Sequence, residues 1–345
     1  MNNNNLINSF INYKNIKNID IKKMLLIIKK SILEILNKNK ELKYNIYINF
    51  NKCNFIIKKV YLVVNNYNLK NKYNQILYYK AKKKFYNCKV GDLIEKKIKL
   101  KNLNRKKIFF IKKNINKNIY NKLNKNKYKK YIKIKGKIIR VEIINIFKKY
   151  LIVKDKYNNE LFYFFDYKDI NKKFFIIGNF YFFLIKNVFL DIKLYKTIIL
   201  LSRNDNLFIE NLLKKEIPEI LDGIIVIIKI VRIPGIKTKI VLYSNDKNID
   251  AIGSCIGIKG SRINNILKEL DKEKIDLIEY SKDFNLYINR LFNNIKIFNI
   301  KIEEKNKKIK LFLNKSDISK VIGKNGNNIR LCSLLLNYKI IINSI

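Results

Sequence analysis

Histidine and tryptophan are absent from this chain of 345 residues, which holds only two prolines, ten glycines and four cysteines. Without histidine it lacks the commonest acid–base catalyst. The cysteines, Cys53, Cys88, Cys255 and Cys332, form no CxxC pair and have no histidine as co-ligand, which speaks against a zinc site. They read as reduced thiols in apolar surroundings. No GxxxxGK[ST] phosphate loop occurs. Long apolar runs are missing too. The most apolar one, Phe174 to Ile185, is interrupted by Gly178 and Asn179 and falls short of the roughly 20 residues that a spanning helix needs. Met1 is followed by four asparagines, which resembles no export signal. The expectation is a cytoplasmic protein with no cofactor, no metal and no membrane partner, and not an enzyme.

Acidic residues are also scarce, 27 Asp and Glu against 74 Lys and Arg, for a net charge of +47. Such a balance implies a polyanionic partner, because phosphate contacts release counterions. Lys, Asn, Ile, Tyr and Phe dominate throughout, however, which is the bias that an AT-rich genome imposes. Charge alone therefore leaves nucleic acid and codon drift both open. Hydrophobic residues make up 48% of the chain, enough for several small cores and too many for overall disorder. The length suggests about two to three domains.

Residues 19–37 read as an amphipathic helix that Asp20 can cap, with Met24, Ile27, Ile28, Ile32, Leu33 and Leu36 at near-helical spacing. Alternation predicts strands at 44–50 and 55–64, and Gly91-Asp92 signals a turn. The Lys/Asn-rich stretch 102–131 is either a solvated helix or a linker. Five short β-rich runs follow, at 132–141, 150–154, 160–165, 179–187 and 196–201, and suggest a small barrel of the OB or S1 type. The aromatics Phe162 to Phe165 and Phe180 to Phe183 either stack on bases or fill that barrel.

From Asn204 the pattern repeats. A helix marked by Ile209, Leu212, Leu213 and Ile217 precedes strands at 224–232 and 237–243, joined by a Pro234-Gly235 turn. Helix, GxxG loop, helix and strand follow, closing near Tyr280. A second cycle fills 284–345, with a helix at 284–293, strands at 295–303 and 307–313, and the same ending.

The two loops are Gly257-Ile258-Lys259-Gly260 and Gly323-Lys324-Asn325-Gly326. Ten glycines in this length give about 0.3 such matches by chance, so one loop would mean little. Context decides. Asp250 and Asp317 are placed to cap the helices before the loops, and Ser261 and Asn327 to cap those after them. A helix N-terminus leaves unpaired N–H groups and a positive dipole end, which favours anions. The glycines let backbone approach a sugar-phosphate chain without a Cβ clash. Lys259 and Lys324 add positive charge, and Arg262, Asn328 and Arg330 lie on the following helices. No Asp or Glu occurs from Ala251 to Lys268, nor from Ile318 to the end. This matches the KH module, whose loop clamps about four nucleotides of single-stranded RNA. The candidate RNA-binding residues are therefore Gly257, Ile258, Lys259, Gly260 and Arg262, with Gly323, Lys324, Asn325, Gly326, Asn328 and Arg330.

With these residues in hand, the chain resembles the NusA family of bacterial transcription elongation, termination and antitermination factors. The resemblance is carried by Ile233-Pro234-Gly235, Lys237-Thr238-Lys239-Ile240-Val241, Ser244-Asn245-Asp246, Ile249-Asp250, Gly253 to Gly257 and Gly260 to Ile263. It continues in Glu273-Lys274-Ile275-Asp276, Ile322 to Gly326 and Asn328 to Leu331, and in the entry from Asp205 to Glu219. It covers about 202–345 strongly and extends to 132–201. The turn Val90-Gly91-Asp92 before Leu93-Ile94-Glu95 also resembles a late turn of the family's N-terminal domain, although the remainder of that region matches poorly.

The resemblance implies an α+β multidomain protein. Its parts would be an N-terminal α/β polymerase-binding domain over 1–128, an S1 barrel of OB type over 132–202, and two tandem bacterial-type (type II) KH domains over 203–281 and 282–345. It implies RNA polymerase core and nascent single-stranded RNA as partners, together with other elongation or antitermination factors, and a monomer that alters pausing, termination and antitermination. Two departures stand out: Ala251 replaces the family's usual proline, and the acidic repeats that follow the KH units in some relatives are not seen before Ile345. Two other classes compete. A ribosome-associated KH/S1 protein would cosediment with ribosomes. An S1/KH exoribonuclease places KH before S1 and adds a large catalytic core.

Overall fold

The protein is described here from a computed structural model, covering residues 20–38, 43–50, 54–65, 71, 73–98, 105–165, 174–191, 196–292 and 295–344. Two compact units divide the chain: Met1–Lys127 with Leu190–Lys196, and Tyr128–Phe189 with Thr197–Ile345.

In the first unit, helix α1 (Ile21–Leu36) starts where the Asp20 carboxylate accepts from the Lys22 N–H, the cap expected from sequence. It packs Met24, Leu25, Ile28, Ile32 and Leu36 on a sheet built from β1 (Lys43–Asn49) and β2 (Asn54–Val64). β2 also pairs in parallel with β3 (Gln75–Leu77) and antiparallel with β4 (Leu93–Ile98). A short helix, α2 (Tyr78–Lys82), buries Ala81 against Val63, Cys88 and Ile94. The expected turn is present, with Gly91 at φ +95° and Asp92 accepting from the Lys89 N–H.

The Lys/Asn-rich stretch resolves to one helix of 28 residues, α3 (Arg105–Ile132), rather than a linker. Ile111, Ile115 and Ile119 recur every fourth residue, and this single narrow stripe is buried in the core of the first unit. In the second unit the same helix ends on Tyr131, which is buried and donates its hydroxyl to Asp155.

That ending moves the first barrel strand. Expected at 132–141, β5 is observed at Ile138–Ile146, because the helix persists to Ile132 and the chain reverses at Gly136, at φ +79°. The remaining strands lie close to expectation: β6 (Tyr150–Lys154), β7 (Glu160–Phe164), β8 (Phe180–Asp191) and β9 (Lys196–Ser202). They close into a barrel in the order β5-β6-β7-β9-β8, with β7 and β9 parallel. Leu151, Val153, Leu161, Tyr163 and Phe183 point inward and are almost fully buried, whereas Phe164 and Phe180 face out. Of the eight candidate aromatics, Tyr163, Tyr181 and Phe183 are buried in the barrel, Phe164 and Phe180 are exposed, and Phe162, Phe165 and Phe182 are half-buried, Phe165 against the barrel core and Phe182 against the core of the first repeat.

Helices α4 (Asn206–Glu216) and α5 (Pro218–Leu221) lead into the first repeat: β10 (Ile225–Ile233), β11 (Lys237–Ser244), α6 (Ala251–Ile256), α7 (Ser261–Glu269) and β12 (Lys274–Glu279). The second repeat has the same order: α8 (Phe284–Leu291), β13 (Ile297–Glu303), β14 (Lys308–Leu313), α9 (Lys315–Ile322), α10 (Asn327–Leu336) and β15 (Lys339–Ser344). In each repeat an antiparallel hairpin is completed by a parallel third strand, and each first strand carries an irregularity near its start, between Ile227 and Lys229 and between Ile297 and Asn299.

Buried polar groups explain several of the motif residues. Glu273 accepts both Arg232 Nε and Nη2 at 2.7 Å, the Gly235 N–H at 2.9 Å and the Thr238 hydroxyl, so a fully buried carboxylate is saturated with donors. Arg203, also fully buried, donates to the carbonyls of Phe182 in the barrel and Glu269 in the first repeat. It lies among the rings of Phe174, Phe175, Phe183 and Phe208, and burial pushes its pKa down to about 10.

Candidate nucleic-acid interface

Helix α6 is capped by Asp250, whose carboxylate accepts from the Ile252 N–H at 2.9 Å. It ends at Gly257, which donates its N–H to the Gly253 carbonyl. One 3₁₀ turn follows, Ile258–Gly260, and α7 begins at once. The second loop repeats the first angle by angle. Gly257 and Gly323 stand at φ, ψ of 72°, 173° and 70°, 172°; Lys259 and Asn325 at 51°, 27° and 55°, 26°; Gly260 and Gly326 at 74°, 16° and 71°, 11°. The first of these conformations is essentially open to glycine alone. A Cβ on Gly257 would lie 2.8 Å from Arg262 Cγ, and one on Gly323 would lie 2.7 Å from Asn328 Cβ.

Three sequence expectations change. Ser261 and Asn327 do not cap the following helices; they are their first helical residues, and the cap positions belong to the left-handed Gly260 and Gly326. No side chain caps α7 or α10, because a glycine has none to offer, so no side chain competes for the first-turn N–H groups. Asp317 lies inside the first turn of α9 and pairs with Lys320 at 2.8 Å, while Asn314 occupies the cap position.

The predicted residues sort into two groups. Ile258, Lys259, Lys324, Asn325 and Arg330 are exposed, with Ile258 at 86%. Arg262 and Asn328, each two residues past the second glycine, instead turn back to hold the loop. Arg262 Nη1 donates to the Ser254 carbonyl at 2.7 Å and to both Glu219 oxygens at 2.9 Å. Asn328 Nδ2 donates to the Val321 carbonyl at 3.1 Å, and its Oδ1 accepts Lys237 Nζ at 3.2 Å. Both side chains thereby satisfy carbonyls at the C-terminus of the helix that enters the loop.

Sequence reasoning missed the residues that join the repeats. Lys229 Nζ, on β10, donates to the carbonyls of Leu334 and Leu335 at 2.7 and 2.9 Å and to Asn337 Oδ1 at 3.0 Å, closing the end of α10. The Lys239 ammonium is buried and bonds Asp276 Oδ2 at 2.8 Å and the Leu291 carbonyl at 3.0 Å. Val231, Val241 and Ile278 share one core with Ile288, Leu291, Leu331 and Leu335. The repeats therefore form one packed body. Lys239 and Asp276 stand in the sequence within the motifs Lys237 to Val241 and Glu273 to Asp276, where nothing local shows that they join the repeats.

A hairpin, two helices around a GxxG turn and a parallel return strand define the type II KH fold, and this chain is a tandem KH protein with an OB-type barrel ahead of the pair. Residues 203–280 match the NusA-like first KH domain, 284–345 the NusA-like second KH domain and 5–125 the NusA N-terminal domain. The chain belongs to the NusA family. It is 46% identical over 143 residues to the transcription termination/antitermination protein NusA of Borreliella burgdorferi, covering 41% of this chain and 30% of that protein. With the protein of the same name from Thermus thermophilus it shares 39% identity over 142 residues, covering 41% of this chain and 37% of that protein. The chain thus covers about a third of the length of these relatives.

Proposed function

We propose that the chain is an RNA-binding transcription factor. On this reading the two GxxG loops hold nascent single-stranded RNA while the domain over residues 1–128 docks on RNA polymerase core. The complex then modulates pausing, termination and antitermination, with no covalent chemistry. The observation that carries it is the matched pair of loops: two uncapped helix N-termini, each behind a glycine-framed backbone that a phosphate can approach closely, with Lys259 and Lys324 beside them. Gly257, Ile258, Lys259 and Gly260 would clamp one stretch of backbone, and Gly323, Lys324, Asn325 and Gly326 a second, with Arg330 reaching outward. Arg262 and Asn328 serve the grip by holding the loops. The packed joint lets a strand engaged at one loop meet the other at an effective concentration on the order of mM.

The working domains are 1–128, 132–202, 203–281 and 282–345. The reading places a monomer in the cytoplasm, with other elongation or antitermination factors as further partners. Among the described residues no helix is long and apolar enough to cross a membrane, and no group of three or more acidic or cysteine side chains is placed to hold a metal ion.

The test uses Lys259→Asp, Lys324→Asp and the double variant. Asp tolerates the left-handed backbone at position 259, so the fold should survive, as circular dichroism would verify. Each single change should weaken binding of a transcript-length RNA, and the double change should weaken it far more. A folded double variant with wild-type affinity would show that the loops are not the RNA grip. Deleting residues 1–128 should abolish capture of core polymerase and spare RNA binding. Cosedimentation with ribosomes instead of polymerase would overturn the polymerase assignment.

A further inference from the structure

Each helix that follows a GxxG loop is gripped at both ends, and the two helices take their holders from different places. At the start of α7, Arg262 is bound by Glu219 of α5, both carboxylate oxygens lying at 2.9 Å. At the other end of α7 the buried Arg203, the residue after β9, donates to the Glu269 carbonyl. The first loop is thus seated by the segment that leads into its own repeat.

At the start of α10 the equivalent residue is Asn328, whose Oδ1 accepts Lys237 Nζ at 3.2 Å. At the end of α10, Lys229 Nζ donates to the Leu334 and Leu335 carbonyls at 2.7 and 2.9 Å and to Asn337 Oδ1 at 3.0 Å. Lys229 lies on β10 and Lys237 on β11, so both holders belong to the hairpin of the first repeat. The second loop borrows its seat from the repeat before it.

These contacts bear on the loop because of where they fall. Asn328 is the second residue of α10 and donates to the Val321 carbonyl near the end of α9, so it spans the two flanks of the loop. With its nitrogen on Val321 and its oxygen on Lys237, that amide has one orientation. At the far end the Lys229 ammonium meets carbonyls that the helix leaves unpaired, where the dipole favours a cation. From Asn328 to Leu335 the helix rises about 10 Å. A helix pinned at two points so far apart is fixed in position and in tilt, and its first-turn N–H groups are fixed with it. Lys237 is itself held in place, by Asp276 Oδ2 at 2.7 Å.

We infer that Lys229 and Lys237 of the first repeat are positioning residues for the second GxxG loop. Neither is a phosphate ligand; each acts through α10, by setting where its N-terminus points. The inference rests on the RNA-binding reading above and adds a direction to it: the second loop depends on the hairpin of the first repeat, whereas the first loop is seated by Arg203 and Glu219.

The test uses the full chain and a mixed-sequence single-stranded RNA of transcript length. Its variants are Lys229→Met with Lys237→Met, the same pair combined with Lys324→Asp or with Lys259→Asp, each loop change alone, and a control. The control, Lys247→Met with Lys272→Met, removes two exposed charges of the first repeat. The methionine pair at 229 and 237 should weaken binding by roughly two- to thirtyfold. Beside Lys324→Asp it should add little, because the loop that it positions is already disabled. Beside Lys259→Asp its full factor should return. A general loss of folding or of charge would instead multiply with both loop changes. The control should bind as wild type does. Thermal unfolding verifies the fold. If the methionine pair unfolds, Lys237→Met alone carries the same comparison, since Asp276 keeps Lys239 at 2.8 Å. Wild-type affinity in the folded methionine variant overturns the inference and leaves the RNA reading intact. So does an equal added loss beside both loop changes, or a control as weak as the methionine variant. Loop changes that leave affinity at the wild-type level overturn the RNA reading, and the inference with it.

Discussion

Arg262 and Glu219 face each other across the entrance to the first GxxG loop, one Nη1 donating to both carboxylate oxygens at 2.9 Å. The same nitrogen satisfies the Ser254 carbonyl at 2.7 Å, so the pair ties α5 to the C-terminus of α6. At the equivalent place in the second repeat Asn328 makes the carbonyl contact. An arginine in the basic stretch after a GxxG loop thus does a loop-holding task rather than presenting a free charge.

Arg262→Ala should cost about 1 kcal/mol, a partly exposed ion pair plus one hydrogen bond. Glu219 is held below its ordinary value of 4.5 by its own backbone N–H and then by Arg262. A depressed folded pKa stabilises above the unfolded value and loses that stabilisation as pH falls through the folded one. Wild type should therefore lose stability below about pH 4.5 more steeply than Arg262→Ala, as urea unfolding at stepped pH would show. Parallel curves would remove the pair from the account.

The loop glycines should differ by space as well as angle. Gly257→Ala and Gly323→Ala force a Cβ into Arg262 and Asn328 at 2.8 and 2.7 Å, on top of positive φ. A Cβ on Gly326 meets nothing within 4 Å, so Gly326→Ala carries only the backbone term. The expected costs are about 2–3 kcal/mol for the first two and about 1 kcal/mol for the third. Amide hydrogen exchange across α7 and α10 would rank them, and equal protection in all three variants would contradict the contact argument.

The buried lysine at the joint yields a third expectation. Burial pushes Asp276 up, but Lys239, then Lys237, more than offset this and hold it below its usual 3.8. Lys239→Met removes one charge and leaves the Leu291 carbonyl with only the long Cys332 thiol contact at 3.9 Å, with Lys237 still 2.7 Å from Asp276. The loss should be about 2–3 kcal/mol. The pair's contribution is present at neutral pH and fades as pH falls through the depressed Asp276 pKa, so the variant should begin acid unfolding at higher pH. Adding Asp276→Leu should recover part of the loss, since two apolar groups then replace two charges. A double variant no more stable than Lys239→Met alone would refute this.

Burial pushes the Cys255 thiol up to about 12 and Cys332 up to about 11. Neither should react with iodoacetamide in the folded protein at pH 8, and both should react in denaturant. Mass mapping of labelled peptides reads the difference. Rapid labelling of Cys255 or Cys332 in the native state would show that the KH cores open readily.

Much of this molecule was legible in advance because its signals are local. The period of Ile209, Leu212 and Leu213 announces α4, and the alternation of Leu161 and Tyr163 announces β7. The repeated GxxG loops could be found because glycine is scarce here and each must adopt positive φ. Where composition hid the pattern, the reading stopped short. In α3 only Ile111, Ile115 and Ile119 mark a buried stripe within a run of Lys and Asn, too narrow to separate helix from linker before a sheet was there to cover it.

Tertiary structure alone decided which charges act and on what. Arg262 and Arg330 are indistinguishable as basic residues after a loop, yet one is held by Glu219 and the other is exposed. Lys229 and Lys239 belong to strands whose charges look solvated, yet they close the end of α10 and bridge the two repeats. The physical reason is range. A backbone conformation is dictated by neighbours in sequence, and a helix or strand by periodicity over a few turns. The fate of a long charged side chain depends on partners some 40 to 100 residues away, such as Glu219 for Arg262 and Leu334 for Lys229, which only the packed fold brings within hydrogen-bond distance.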